Sequence, residues 1–316
     1  MSDIPINAVV VDPGARGRFV IRQVPSPQPL PNQLLIRVKA ISLNRGEVRM
    51  SLDAPAGRRL GWDFAGIVEE AAADGSGPAV GAPVVGMLNS GSWAQRIAAP
   101  SNSVAELPDK VGFAQAATLP VAGLTALHAL YKGGFLLGKP VLITAPTGGT
   151  GDFACQLARL GGARVTATVR SQQREAFVRG LGVEHVVVGE DPAPAAKFGP
   201  YSLIIDSVAG PNFGKVLAML ASGGTCVMFG ATGGAEASFN ASQFYPTGGA
   251  KLYGLAVFKE LLLEPASVGL KVLVDLLAAG QLKPHIDVEA SWNKVAEIAQ
   301  QLMDRKFLGK AVLTVD

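Results

Sequence analysis

The chain reads as an α/β protein of two parts, a β-rich domain and a doubly wound parallel sheet. Three observations lead there. An apolar run from Val141 collapses into the glycine-rich turn Thr147-Gly148-Gly149-Thr150-Gly151 and leads straight into a helical pattern. Strand-like and helix-like stretches then alternate, as a parallel sheet covered on both faces requires. Before about residue 120 the texture is different, with short β-like runs broken by Pro, Gly and Asn.

In chain order, the β-rich part contributes Leu34 to Ile41, Phe64 to Ala71, Val84 to Leu88 and Trp93 to Ala98 as strands. The turn Leu107-Pro108-Asp109-Lys110 and the apolar stretch Phe113 to Leu130 mark the passage into the second part. The expected division is 1–119 with 258–316 for the β-rich domain and 120–257 for the sheet domain. In the latter the strand ending near Thr144 is followed by a helix from Asp152 to Leu160, with Phe153, Leu157 and Leu160 on one stripe. Strand Ala163 to Val169, helix Ser171 to Leu181 and strand His185 to Val188 come next. An exposed loop is expected over Asp191 to Pro200, which is rich in Ala and Pro. Ser202 to Val208, Thr225 to Phe229 and Lys251 to Val257 are strand-like, with the helical stretch Asn212 to Leu220 between the first two. Ser267 to Ala279 and Trp292 to Met303 read as helices, and Lys310 to Val315 as a strand returning to the first domain.

The glycine turn has a physical use. Gly148 and Gly149 let the main chain approach a pyrophosphate with no Cβ in the way, Gly151 permits close packing of helix on strand, and the helix N-terminus offers unpaired N–H groups to an anion. Glycine also serves ordinary turns. The alternating strands and helices around it favour a dinucleotide.

At 316 residues the chain suits two domains, and a formal charge of +3 with no basic tract argues against nucleic acid as a partner. No segment is long and apolar enough to span a bilayer, and Met1-Ser2-Asp3-Ile4-Pro5 lacks a basic start with an apolar run, so a cytoplasmic location is expected. Cys155 and Cys226 fall on an expected helix and strand as small buried hydrophobes. His128, His185 and His285 show no metal-ligand spacing, so no metal is expected.

From end to end the chain resembles the zinc-independent quinone oxidoreductase branch of the medium-chain dehydrogenase/reductase superfamily. The likeness rests on Ile41-Ser42-Leu43-Asn44-Arg45-Gly46-Glu47, Gly61-Trp62-Asp63-Phe64-Ala65-Gly66, Ala117 to Ala126, the glycine turn, Asp206-Ser207-Val208 and Gly309-Lys310-Ala311-Val312-Leu313. It implies a GroES-like domain, a Rossmann domain and an active-site cleft between them, and a homodimer with Lys251 to Val257 as the edge strand. Zinc-dependent alcohol dehydrogenases of the superfamily carry a Cys where this chain has Asn44, and Gly-His-Glu where it has Gly61-Trp62-Asp63. An amide and an indole do not replace a thiolate and an imidazole at zinc. Two residues depart from the pattern: Pro146 stands at a turn position usually small, and Gly189 where related reductases often have a tyrosine.

No acidic residue ends the second strand to receive the ribose hydroxyls of NAD. Arg170, Ser171 and Arg174 follow Val169 instead, a guanidinium and hydroxyl set suited to the 2′-phosphate of NADPH, or else a helix cap with solvated charges. Thr125, Phe229, Gly230 and Leu255 are expected beside the ribose and nicotinamide, with Thr147, Gly148, Gly149, Thr150 and Gly151 at the pyrophosphate. The catalytic candidates are Asn44, Arg45, Glu47, Trp62 and Asp63. Asn44 is expected either to donate a hydrogen bond where negative charge develops on the substrate oxygen or to serve as a turn residue. Arg45 is expected either to face a growing enolate or to pair with Glu47 or Asp63. Trp62 is a packing residue or a stacking platform. The reading that follows is NADPH-dependent hydride transfer to a quinone or other α,β-unsaturated carbonyl acceptor. The alternatives are a biosynthetic enoyl or enone reductase, and a non-catalytic NADPH-binding sensor or structural protein.

Overall fold

The computed structural model describes residues 4–316. The chain forms two compact units, Met1–Leu124 with Leu261–Asp316, and Thr125–Glu260. The reading of Met1-Ser2-Asp3 as lacking a leader lies outside the described residues. Among these, no helix is long and apolar enough to cross a membrane.

In the first unit the long strand Gln33–Ser42 pairs antiparallel with Asp63–Glu70, Arg96–Pro100 and Lys310–Thr314. The sheet extends through Pro83–Met87 to Val104–Glu106 on one side and to Ile286–Ser291 on the other. Its apolar positions, among them Leu34, Ile36, Phe64 and Val84, are buried with Trp93, Trp292 and Ile298 in one core. A separate two-stranded sheet, Ile6–Val11 with Phe19–Val24, adds to that core and was not expected from the sequence. Helix Phe113–Ala117 passes into a π-helical turn, Leu119–Gly123.

In the second unit six strands are parallel in the order His185–Val188, Arg164–Val169, Pro140–Thr144, Tyr201–Asp206, Leu220–Met228 and Lys251–Gly254. Starting in the middle, running outward and then reversing, this order is that of a doubly wound nucleotide-binding sheet. Val141, Leu142, Ile143, Leu203 and Ile204 are buried on both faces, which is why these strands read as unbroken apolar runs. Two expectations are corrected. The last strand stops at Gly254, and Val257–Glu260 is helical. Ala193–Phe198 of the expected exposed loop winds into a 3₁₀ helix, because Ala195 is buried and its carbonyl accepts a hydrogen bond from the buried Tyr201 hydroxyl at 2.7 Å.

Candidate functional site

Register brings three strand ends together in the first unit. Ser42 pairs with Asp63 and with Val312, and the Leu43 N–H donates to the Ala311 carbonyl. Asn44 then caps the helix Arg45–Met50, Asp63 opens its strand, and Lys310 opens the last one. Four polar side chains meet there as a consequence. The Asn44 amide donates to Asp63 Oδ2 at 2.8 Å and to Glu47 Oε1 at 3.1 Å, and its Oδ1 accepts from Lys310 Nζ at 2.6 Å. Lys310 also donates to the Leu43 carbonyl at 3.1 Å and lies 3.5 Å from Asp63 Oδ2. Glu47 receives the Asn44 and Trp62 backbone N–H groups, each at 2.7 Å. Asp63 Oδ1 takes the Val121 N–H at 3.0 Å, a donor presented by the π-helical turn.

Glu47, Asp63 and Lys310 are buried, whereas Asn44 is half-buried. Burial pushes the Glu47 carboxyl well above its usual range, the neighbouring Asp63 charge adds to this, and Lys310 and the Asn44 N–H groups oppose it. Burial raises Asp63 and lowers Lys310, in each case against the pull of the opposite charge. All four carboxylate oxygens face donors and none faces an acceptor, the arrangement of ionised groups.

Of the five catalytic candidates, Asn44, Glu47 and Asp63 are thus joined in one network. Arg45 is not part of it. Its guanidinium donates to the Leu302 and Met303 carbonyls, both at 3.1 Å, and so closes the last turn of helix Val295–Met303 in place of an ion pair with Glu47 or Asp63. The Trp62 indole lies over Gly46, where an added Cβ would come within 2.8 Å of the ring. The donor role expected of Asn44 meets an obstacle, since both of its amide N–H groups are engaged. Lys310, to which sequence reasoning assigned no task although it lies in the Gly309 to Leu313 motif, completes the network; it is a lysine opening the mostly apolar strand Lys310–Thr314.

The second unit builds the nucleotide turn. Strand Pro140–Thr144 ends against its neighbour through the Thr144 hydroxyl, which donates to Asp206 Oδ1 at 2.7 Å and accepts the Ser207 N–H at 3.2 Å. Asp206 Oδ2 holds the Ala209 N–H at 2.8 Å. Ala145 then adopts φ +51°, and Gly148 is the N-cap of helix Gly149–Leu160, a residue with no side chain to cap the first turn. A Cβ at Gly151 would lie 2.3 Å from the Ala145 carbonyl oxygen, so only glycine lets the helix sit this close to the turn. A helix N-terminus capped by the exposed Gly148 suits a pyrophosphate, and Thr150 is half-buried beside it.

Arg174 reaches back to the turn, its Nη1 donating to Thr147 Oγ1 at 3.2 Å. Arg170 stands apart, with its Nε 3.9 Å from Glu190 Oε2. Ser171 occupies the N-cap position of the 3₁₀ helix Gln172–Arg174 without a side-chain cap bond. Phe229, Gly230 and Leu255 follow the carboxyl ends of strands Leu220–Met228 and Lys251–Gly254, with Leu255 buried, and Thr125 is buried at the start of helix Leu124–Tyr131. A cluster that sequence reasoning missed follows the edge strand: Glu260 accepts from Lys132 at 2.8 Å and from the Tyr253 hydroxyl, with Lys132 4.6 Å from the centre of the Tyr253 ring.

Comparison with known proteins agrees with this geometry. Residues 30–109 match the family model of the alcohol dehydrogenase GroES-like domain, and residues 149–267 that of the zinc-binding dehydrogenases. A chloroplast envelope quinone oxidoreductase homologue of Arabidopsis thaliana is 31% identical over 311 residues, which cover 92% of each chain. The spectinabilin polyketide synthase system protein NorB of Streptomyces orinoci is 38% identical over 209 residues, 64% of this chain and 10% of that protein. The solved quinone oxidoreductase from Coxiella burnetii superposes with a TM-score of 0.84 at 26% identity, covering 99% of this chain and 100% of that one. With one unit built on a parallel sheet in nucleotide-binding order and the other rich in β-strands, and with a relative of this identity along nearly its whole length, the chain belongs to the medium-chain dehydrogenase/reductase superfamily, in its quinone oxidoreductase-like branch.

Proposed function

We propose that this oxidoreductase uses NADPH to reduce a quinone or another α,β-unsaturated carbonyl acceptor, and that it does so without catalytic zinc. The observation that carries the cofactor choice is the bond from Arg174 to Thr147 of the glycine turn, on a strand end with no acidic residue for a ribose. It sets a guanidinium beside the glycine turn that opens helix Gly149–Leu160, where the phosphates of a dinucleotide would be held. When bound, the cofactor supplies the hydride from C4 of its nicotinamide. Thr147 to Gly151 would hold the pyrophosphate, Arg170, Ser171 and Arg174 the 2′-phosphate, and Thr125, Phe229, Gly230 and Leu255 the ribose and nicotinamide. Zinc independence is supported by Asn44 and Trp62, whose amide and indole stand where a metal-binding relative needs a thiolate and an imidazole. Asn44 and Trp62 would face the acceptor, while Glu47 and Asp63 hold Asn44.

A second reading has a specific support. The stretch shared with a polyketide synthase system protein fits an enoyl reductase acting in biosynthesis. We further propose that the protein is cytoplasmic and pairs as a homodimer along the outer edge of Lys251–Gly254, the terminal strand of its sheet. The deciding experiment follows loss of NADPH and, separately, NADH absorbance with a small quinone and an α,β-unsaturated ketone. NADPH oxidation weakened by Arg170→Glu supports the proposal, and the acceptor ratio separates quinone from enone reduction. Tight NADPH binding with no turnover on any acceptor overturns it in favour of a nucleotide-binding sensor.

A further inference from the structure

A side-chain amide has two N–H donors and one carbonyl oxygen with two lone pairs. In Asn44 both N–H groups are taken by Asp63 and Glu47, and the oxygen faces Lys310 and, across the capping box, the Glu47 backbone N–H. Exchanging oxygen and nitrogen would set the carbonyl oxygen against two carboxylate oxygens and the NH₂ against an ammonium, turning all three contacts repulsive. Charge on both sides therefore decides which way the amide points. Lys310 is itself fixed by the Leu43 carbonyl and by Asp63, so it holds the Asn44 oxygen from a set position.

We infer that Lys310 is a positioning residue that locks Asn44 with its N–H groups held by the two carboxylates, so that Asn44 has none to offer a ligand. In that orientation Asn44 does not donate a hydrogen bond to an oxyanion. This deepens the proposed reductase reading and rests on it. The charge of the cluster points the same way. Two carboxylates and one ammonium leave a formal charge of −1 behind the amide, which opposes negative charge on a substrate oxygen and favours the positive end of an O–H or N–H dipole. Asn44 is half-buried while its three partners are buried. The acceptor's growing negative charge must then be met by another donor, water included.

The test reads the amide directly, in the full-length protein labelled with ¹⁵N-asparagine. The Asn44 side-chain resonances are assigned by their loss in Asn44→Ser. The expected result is solvent exchange of both amide protons slowed at least about tenfold relative to exposed asparagines, with little change of shift on saturation with NADPH. Rapid exchange, or a large shift of the NH₂ pair when NADPH is added, overturns the inference. Lys310→Met alone strands two buried carboxylates, so the positioning role is tested in Lys310→Met/Asp63→Asn, which keeps the formal charge of the cluster at −1. This variant is expected to fold, to lose the slowed exchange, and to show kcat lowered roughly tenfold with KM for NADPH within about twofold, since misplaced groups slow the step they orient. Slow exchange and kcat both retained in this variant would show that Lys310 does not position Asn44. Absence of turnover in the wild type, with the amide still protected, counts against the reductase reading and leaves the orientation of Asn44 standing.

Discussion

Lys310 in the first unit is 3% exposed and touches three oxygens, whereas Arg170 in the second is 42% exposed and lies 3.9 Å from a single carboxylate that is itself 80% exposed. Both are cations next to acids, yet they obey different physics. Removing one member of a buried network strands the others away from water, at a cost of several kcal/mol. Parting an exposed pair returns both groups to water and costs little. The first arrangement fixes geometry and the second tunes affinity.

The widest separation between the two regions is expected in stability. Lys310→Met or Asp63→Leu alone should each lower the unfolding free energy by about 3–5 kcal/mol, because a charge is left buried without its partner. The double variant Lys310→Met/Asp63→Leu should cost clearly less than the sum of the two. Denaturant unfolding of the four proteins checks this, and strictly additive losses would show that the pair is not coupled. Arg170→Gln, in contrast, should shift stability by no more than about 0.5 kcal/mol.

The same contrast explains what was legible in the sequence. The parallel strands of the second unit read clearly because Val141 to Ile143 and Leu203 to Ile205 are buried on both sides and need apolar residues throughout. Strand Ile286–Ser291 lacks an apolar run and alternates apolar Ile286, Val288 and Ala290 with polar Asp287, Glu289 and Ser291, a half-exposed pattern that sequence reasoning passed over; its place in the sheet comes from pairing with Lys310–Thr314. In the site, Asn44 and Glu47 are three residues apart, the spacing of a capping box, so their contact is a local event. Lys310 is 266 positions from Asn44 and is brought there by sheet register alone. Arg174 and Thr147 are likewise joined only once two strands lie side by side.

Glu260 falls between the two extremes, with a side chain 7% exposed and a lysine partner 26% exposed. Burial pushes its carboxyl up, but hydrogen bonds from Lys132 and Tyr253 and the lysine charge outweigh this, and the group lies below its usual range. A lowered folded-state value means stability that is present above the unfolded value and lost as pH falls through the folded one. Glu260→Gln should therefore cost about 1–3 kcal/mol at pH 7. That deficit should shrink as pH falls below the ordinary carboxyl value of 4.5. An equal deficit at pH 7 and pH 3 would rule out the ionised pair as its source.

The glycine turn offers an uncharged counterpart of comparable or smaller size. Gly151→Ala would drive a Cβ to 2.3 Å from a backbone oxygen, which cannot swing aside as a side chain can, and should cost about 1–3 kcal/mol. Ala145 already holds φ +51°, so Ala145→Gly relieves strain while adding freedom to the unfolded chain, for a net gain of about 0.5–1 kcal/mol. Thermal unfolding of both variants should move in opposite directions; a common direction would mean that the turn is not strained at Ala145.

The smallest effect is the one that bears on cofactor choice. Glu190 places its carboxylate 3.9 Å from Arg170, so a 2′-phosphate approaching that guanidinium must compete with a resident anion. Both side chains are solvated, which limits the interaction to about 1 kcal/mol, or roughly a fivefold change in binding. Glu190→Gln should therefore lower KM for NADPH by about twofold to fivefold and leave KM for NADH, which has no 2′-phosphate, unchanged. The gain should fade as salt is raised past about 0.1 M, where the Debye length drops to about 10 Å. Equal improvement for both cofactors would trace the effect to the loop rather than to charge. No improvement for either would assign the 2′-phosphate to Arg174 at the glycine turn, where no carboxylate competes for its bond to Thr147.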